Sequence, residues 1–176
     1  RKAWTKSPQP ELAAAFANLE PQESPENRVS RFKPWIKLHK GTPEVKMLEA
    51  ELALAAGNYP EARKALGDLS ESNPTVRALT IMAAIERGTG AAEAVVRGWL
   101  AKALGAKYGT AWCCKKCNNI SRNWAPVCAQ CNAFDTLEWK ETQLPSTMDE
   151  STQLLPLIIG DLGLTESTHK EEKNVS

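Results

Sequence analysis

Over residues 1–106, apolar positions recur every three to four residues, and each run is bounded by Pro or Gly. Pro10 opens a helix expected over Glu11–Leu19, with Leu12, Ala13, Phe16 and Leu19 in one stripe. Ser24-Pro25-Glu26 reads as an N-cap followed by Pro at the first helical position. It predicts a helix to about His39 whose buried face is Val29, Phe32 and Ile36. Pro34 inside that run lacks a backbone donor and predicts a kink or a stop. Gly41-Thr42-Pro43-Glu44 then caps a helix running to Ala56, and Gly57-Asn58-Tyr59-Pro60 turns into Glu61–Leu69. Asn73-Pro74-Thr75 breaks the chain before Val76–Arg87, and Gly88-Thr89-Gly90 leads into Ala91–Leu104. From Trp112 the period shortens to near two, which predicts short strands over 111–113, 120–124 and 136–139.

The helices fall into pairs with a spacing. Between Pro43 and Pro74, small residues stand at Ala50 and Ala53, Gly57 marks the turn, Tyr59 and Ala62 follow, and Leu66 and Leu69 close the unit. That order resembles the tetratricopeptide pattern, a helix-turn-helix of about 34 residues. Residues 75–106 repeat it loosely with Ala83, Gly90, Ala94 and Trp99, and 9–40 more loosely still. A single unit of this kind cannot bury its own face, so stacked pairs make physical sense. An irregular helical bundle is the plainer alternative.

All five cysteines fall between Cys113 and Cys131. Cys114-Lys115-Lys116-Cys117, ten residues, then Cys128-Ala129-Gln130-Cys131 is C-x2-C-x10-C-x2-C, two turns able to bring four soft ligands to one ion. Asn118 and Asn132 follow the two pairs at the place where positive φ is commonly needed, which Asn tolerates. Cys113 with Cys117 would give C-x3-C instead. The symmetry of the two pairs assigns Cys114 to the metal and leaves Cys113 as a strand residue, free or buried. Two disulfides are the alternative, against which stand the odd count and the lack of cysteine elsewhere. The expected site is a structural four-cysteine ribbon of the rubredoxin-like kind, its metal held by Cys114, Cys117, Cys128 and Cys131. Zinc is the expected ion, and four thiolates also accept iron. A site closed by four protein ligands has no place for substrate.

Net charge of +1 over 176 residues gives no bulk attraction to nucleic acid or membrane. Between Lys107 and Lys140, five Lys/Arg face Asp135 and Glu138, an excess of 5 − 2 = 3, thinner than a nucleic-acid footprint. The only histidines, His39 and His169, belong to no triad, and no phosphate loop or dinucleotide fingerprint occurs. Neither a secretory signal nor a span of about 18 apolar residues appears. The chain opens on Arg1-Lys2-Ala3-Trp4 and reads as the C-terminal piece of something longer. Its tail, 141–176, is polar and expected to be mostly disordered, apart from the apolar segment Leu154-Leu155-Pro156-Leu157-Ile158-Ile159. The expected organisation is a mainly α chain. A tetratricopeptide-like α-solenoid spans 1–106, with units at about 9–40, 43–74 and 75–106, followed by a small β zinc ribbon over 107–140 and the tail.

Ala111-Trp112 with Cys114 and Cys117, then Trp124-Ala125-Pro126-Val127-Cys128 with Cys131, then Phe134-Asp135-Thr136-Leu137 with Trp139 resembles the C-terminal end of HemY-family tetratricopeptide proteins. Arg97-Gly98-Trp99-Leu100 and Pro10-Glu11-Leu12-Ala13 are similar to that family as well. Lipopolysaccharide assembly protein B is a more distant likeness. The resemblance implies an inner-membrane protein, anchored by a region N-terminal to residue 1, with a cytoplasmic helical part linked to haem (porphyrin) metabolism. This sequence departs from the family pattern in Asn118 and Asn132 where Gly is usual, in Cys113 and in Pro34.

The expected function is a non-enzymatic scaffold that binds a protein partner on its concave helical surface, with no nucleic acid as partner. Trp112, Trp124 and Trp139 are expected to cover the thiolates and the helix junction, and the ribbon to cap the C-terminal end of the stack. The alternatives are a nucleic-acid module using Lys115, Lys116 and Arg122, or an adaptor in lipopolysaccharide assembly.

Overall fold

A computed structural model describes residues 2–121 and 123–142. Arg122, most of the 141–176 tail and the segment 154–159 lie outside the described residues. The described residues are mainly helical, and a small antiparallel sheet follows the helices.

Among the described residues, eight helices precede the sheet: α1 Lys2–Lys6, α2 Pro10–Ala17, α3 Pro25–Ile36, α4 Pro43–Ala55, α5 Tyr59–Leu66, α6 Leu69–Ser72, α7 Val76–Gly88 and α8 Glu93–Leu104. Ser24 caps α3 as read from sequence, and Asn58 and Thr75, read only as turn residues, cap α5 and α7, whereas Thr42 makes no side-chain cap on α4. Ser24, Asn58 and Thr75 accept the N–H groups of Asn27, Glu61 and Ala78, and Pro10, Pro25 and Pro43 occupy first helical positions.

Helix α4 is buried on two faces and so forms the centre of the helical part. Val45, Leu48 and Leu52 meet Trp4, Ala13, Phe32 and Trp35 from α1–α3. Ala50 and Ala53 meet Ala62, Leu66, Ala78, Ile81, Met82 and Ile85 from α5 and α7. Short side chains at 50, 53 and 62 let α4 and α5 approach closely. Helices α4 and α5 pack as one hairpin and α7 and α8 as the next, with α7 also against α4 and α5. Gly88 permits one close contact, since a Cβ there would lie 2.0 Å from the Tyr59 ring. Arg77 ties α7 back to α4, with 2.7 Å bonds to Glu44 and Glu51.

Several expectations need correction. Helix α2 stops at Ala17 and leaves Leu19 exposed, because Arg31 reaches over from α3 to the carbonyls of Phe16 and Ala17. In α3 the buried residues are Phe32 and Trp35, with Val29 and Ile36 only half-buried. The sequence stripe missed Trp35, whose ring stacks on Phe16 and whose carbonyl accepts the Trp4 indole N–H. Pro34 does not stop the helix at its own position, but α3 ends two residues later at Ile36, short of His39. The proline falls in the last turn, after which the chain tightens to a 3-10 turn over Lys37–His39. Gly67, at φ 58°, ends α5 at Leu66 rather than Leu69.

The sheet has order β2-β1-β3, from β1 Thr110–Cys114, β2 Ile120–Ser121 and β3 Leu137–Glu141. Trp112 pairs with Ser121 on one side and Trp139 on the other, and Cys114 pairs with Leu137. The return strand is two residues long, not five, because Cys113↔Ile120 and Trp112↔Ser121 are its only ladder pairs among the described residues. Contacts among the described residues join the sheet region to the helices. Val76 N–H donates to Lys107 O, Gly109 lies against Thr75, and Trp112 Nε1 donates to Glu11 Oε1 at 3.0 Å. These contacts attach the ribbon to α2 and the start of α7. Leu100 and Leu104 on α8 remain exposed, so the expected capping of that end by the ribbon is not what these contacts do.

Candidate metal centre

Each Cys-x-x-Cys turn is built by the same two backbone bonds. Cys114 N–H donates to Asn119 O, and Asn118 N–H donates to Cys114 O. In the second turn, Cys128 N–H donates to Ala133 O, and Asn132 N–H to Cys128 O. The chain closes each loop by turning left-handed at its fifth residue, with φ 57° at Asn118 and 54° at Asn132. Asn, whose short polar side chain bonds locally, is among the few residues that adopt this conformation readily. Lys115 N–H to Thr136 O and Asp135 N–H to Pro126 O lock the turns to the rest of the ribbon.

The four sulfurs predicted from the spacing come together. The Sγ atoms of Cys114, Cys117, Cys128 and Cys131 all lie within 4.8 Å of one another. Across the two turns, Cys114–Cys131 and Cys117–Cys128 are both at 3.7 Å. A tetrahedron with metal–sulfur bonds of about 2.3 Å has edges of about 3.8 Å, so the set fits one tetrahedral thiolate-bound ion. Cys113 is not among them. It is buried in β1, and burial pushes its thiol pKa up.

The surroundings treat the sulfurs unequally. Thr136 Oγ1, 3.2 Å from Cys114 Sγ, holds that thiol down at about 6, with backbone N–H groups adding to the effect. The N–H groups of Cys131 and Gln130 lower Cys128. At Cys117 the Asn119 N–H favours the thiolate, but burial and the other three sulfurs prevail and push it up to about 12. Like charges so close cannot all ionise unaided, and a divalent cation at their centre removes that conflict.

Thr136 and Glu11 are the residues that sequence reading missed. Nothing in the spacing marks Thr136, and Glu11 lies 101 positions from the indole it accepts. Of the three tryptophans expected over the junction, Trp112 and Trp139 do pack together, edge to face at 5.4 Å. Trp124 does not; it is 55% exposed. Among the cations suggested for a partner, Lys115 pairs with Glu138, and beside them Lys107 pairs with Glu141. His39, half-buried at the edge of the helices, has Nε2 2.8 Å from Trp4 O.

No family model matches the chain, and no solved structure does. The chain is similar to a probable magnetosome protein, Mms48, of Magnetospirillum gryphiswaldense. The two are 24% identical over 160 residues, which cover 87% of this chain and 36% of the relative. The chain therefore spans about a third of the length of the protein it matches. Among the described residues, no helix is long and apolar enough to cross a membrane.

Proposed function

We propose that the chain is a non-enzymatic protein–protein interaction scaffold. Its helix pairs stack as a tetratricopeptide-type solenoid, and its zinc-loaded four-cysteine ribbon fixes the orientation of α2. The carrying observation is the stacking of hairpin α7–α8 on hairpin α4–α5, with Tyr59 seated on Gly88. A hollow of about 350 Å³, lined by Ala14, Ala17, Glu51, Ala55 and Arg77, offers a shallow surface to an extended partner segment. The ribbon supplies rigidity rather than chemistry, since four protein sulfurs complete its coordination.

The test is site-specific photo-crosslinking in cells from Ala17 and Ala55, with Lys64 on α5 as the outer control. A defined partner captured from the first two positions and lost on Glu51→Arg supports the reading. Equal capture from all three positions overturns it.

The ribbon residues Ala111–Cys117, Trp124–Cys131 and Phe134–Trp139 extend this reading to the C-terminal region of a HemY-like inner-membrane protein linked to haem metabolism. Deletion of the gene should then cause porphyrin intermediates to accumulate. A second reading follows from the likeness to Mms48, a probable magnetosome protein. Normal porphyrins with altered magnetosomes in a magnetosome-forming host would favour it. The nucleic-acid alternative is weaker, because Lys115 and Lys107 already have carboxylate partners.

A further inference from the structure

A groove of about 730 Å³ runs between α2 and the ribbon, and it is open to solvent. Its walls are largely apolar: Pro10 and Ala14 on one side, Tyr108, Ile120 and Trp139 on the other. Glu11 also lines it. One carboxylate oxygen, Oε1, accepts the Trp112 indole N–H, whereas Oε2 is shielded from solvent and has no donor. A shielded carboxylate oxygen without a donor is unfavourable, and it calls for an N–H from whatever fills the groove.

The described chain stops beside this groove. Thr142 is buried, and both its N–H and its hydroxyl donate to Gly109 O at 2.8 Å. Gly109 lies between Tyr108 and Thr110, which both line the groove. Eleven residues, 143–153, separate this anchor from the apolar run Leu154-Leu155-Pro156-Leu157-Ile158-Ile159. That length reaches roughly 40 Å when extended, and closing a loop of this size costs little more than closing a shorter one.

We propose that Leu154–Ile159 of the same chain returns to the groove between α2 and the ribbon, its leucine and isoleucine side chains against Ala14, Tyr108, Ile120 and Trp139. Pro156 disfavours helix at Leu155, which leaves backbone N–H groups in the segment free of helical partners, and one of them donates to Glu11 Oε2. The segment carries no charge, in keeping with the largely apolar lining of the groove.

Hydrogen exchange of the full, metal-loaded chain tests this. The amides of 154–159 and of 118–121 should be protected in the wild type, to the same degree across a hundredfold dilution. The double variant L157D/I158D should exchange at least tenfold faster at 118–121, with α4 and α7 unaffected and metal retained. From the groove side, Ala14→Arg changes an exposed position and should expose the amides of 154–159 to a similar extent. Unprotected amides at 154–159 in the wild type overturn the proposal, as does a groove indifferent to both variants. Protection that disappears on dilution overturns it too, by assigning the groove to the segment of a second copy.

Discussion

Asn118 and Asn132 hold the two metal-binding turns closed from the left-handed region, so their tolerance of substitution is a direct reading of backbone strain. A β-branched residue there costs about 1–2 kcal/mol, whereas glycine costs little. Because ribbon folding and metal binding are one equilibrium, the cost appears as weaker metal affinity. Asn118→Val should therefore weaken zinc binding roughly tenfold, at about 1.4 kcal/mol per decade, and Asn118→Gly should leave it nearly unchanged. Competition titration against a chromogenic chelator separates the two cases. Glu23 offers a second test at this scale. It accepts from Arg31, closest of all, and from Arg28, and Arg31 first among these causes lowers its carboxyl from 4.5 to about 2. A carboxyl depressed in the folded state stabilises above its unfolded pKa and loses that contribution as pH falls. Stability should thus decline from about pH 4.5 toward 2, and Glu23→Gln should flatten that part of the profile in acid denaturation followed by circular dichroism. What a single position reveals in sequence depends on how local its cause is. The ligand cysteines and the two asparagines were legible because each turn is set by residues close by in the chain. Trp124 and Leu19 were misread because nothing near them in the chain says whether a distant surface will cover them.

Helix starts followed the Pro and Ser/Thr/Asn signals closely, since caps are local, while helix ends and helix faces followed the sequence less well. Trp35 stands outside the stripe Val29–Phe32–Ile36, yet it is buried because α1 and α2 bring Trp4 and Phe16 onto it. The stacking of the two hairpins was legible only as small residues at the right spacing. Its contact is testable at Gly88. In an isolated helix, alanine would be favoured over glycine by about 1 kcal/mol. Here the added methyl would lie 2.0 Å from the Tyr59 ring, which has to leave its place. Overpacking of this kind costs about 1–3 kcal/mol, so the two effects oppose each other and the clash should win. Gly88→Ala is expected to lower the melting temperature. In a Tyr59→Ala background the same change should raise it, because only the helix preference is left. A rise in both backgrounds would mean that Tyr59 does not interlock the hairpins.

At the scale of the molecule, two apolar clusters lie within the helices, and the ribbon's own buried side chains include three cysteines, Cys113, Cys114 and Cys128. A unit with so little apolar burial would depend on a metal held by its four cysteines, for which binding free energies in comparable peptides are about 10 kcal/mol or more. Chelation should therefore unfold the ribbon and leave the helical core. Far-ultraviolet circular dichroism should keep its helical signal, while the near-ultraviolet signal of the Trp112–Trp139 pair collapses. Loss of the Trp112–Glu11 bond should also loosen α2, whose end is otherwise held by Arg31. The pH dependence has a definite sign. Metal displaces protons from the thiols, so affinity falls as pH falls. Because the metal-free ribbon is unfolded, its cysteines start at the ordinary thiol value of about 8.5 and are mostly protonated near neutral pH. Calorimetric titration in buffers of different ionisation heat should accordingly count close to one proton released per sulfur bound. In the folded ribbon the Thr136 hydroxyl instead holds Cys114 at about 6. A count well short of one proton per sulfur, restored by Thr136→Val, would therefore show that the ribbon keeps its fold without metal.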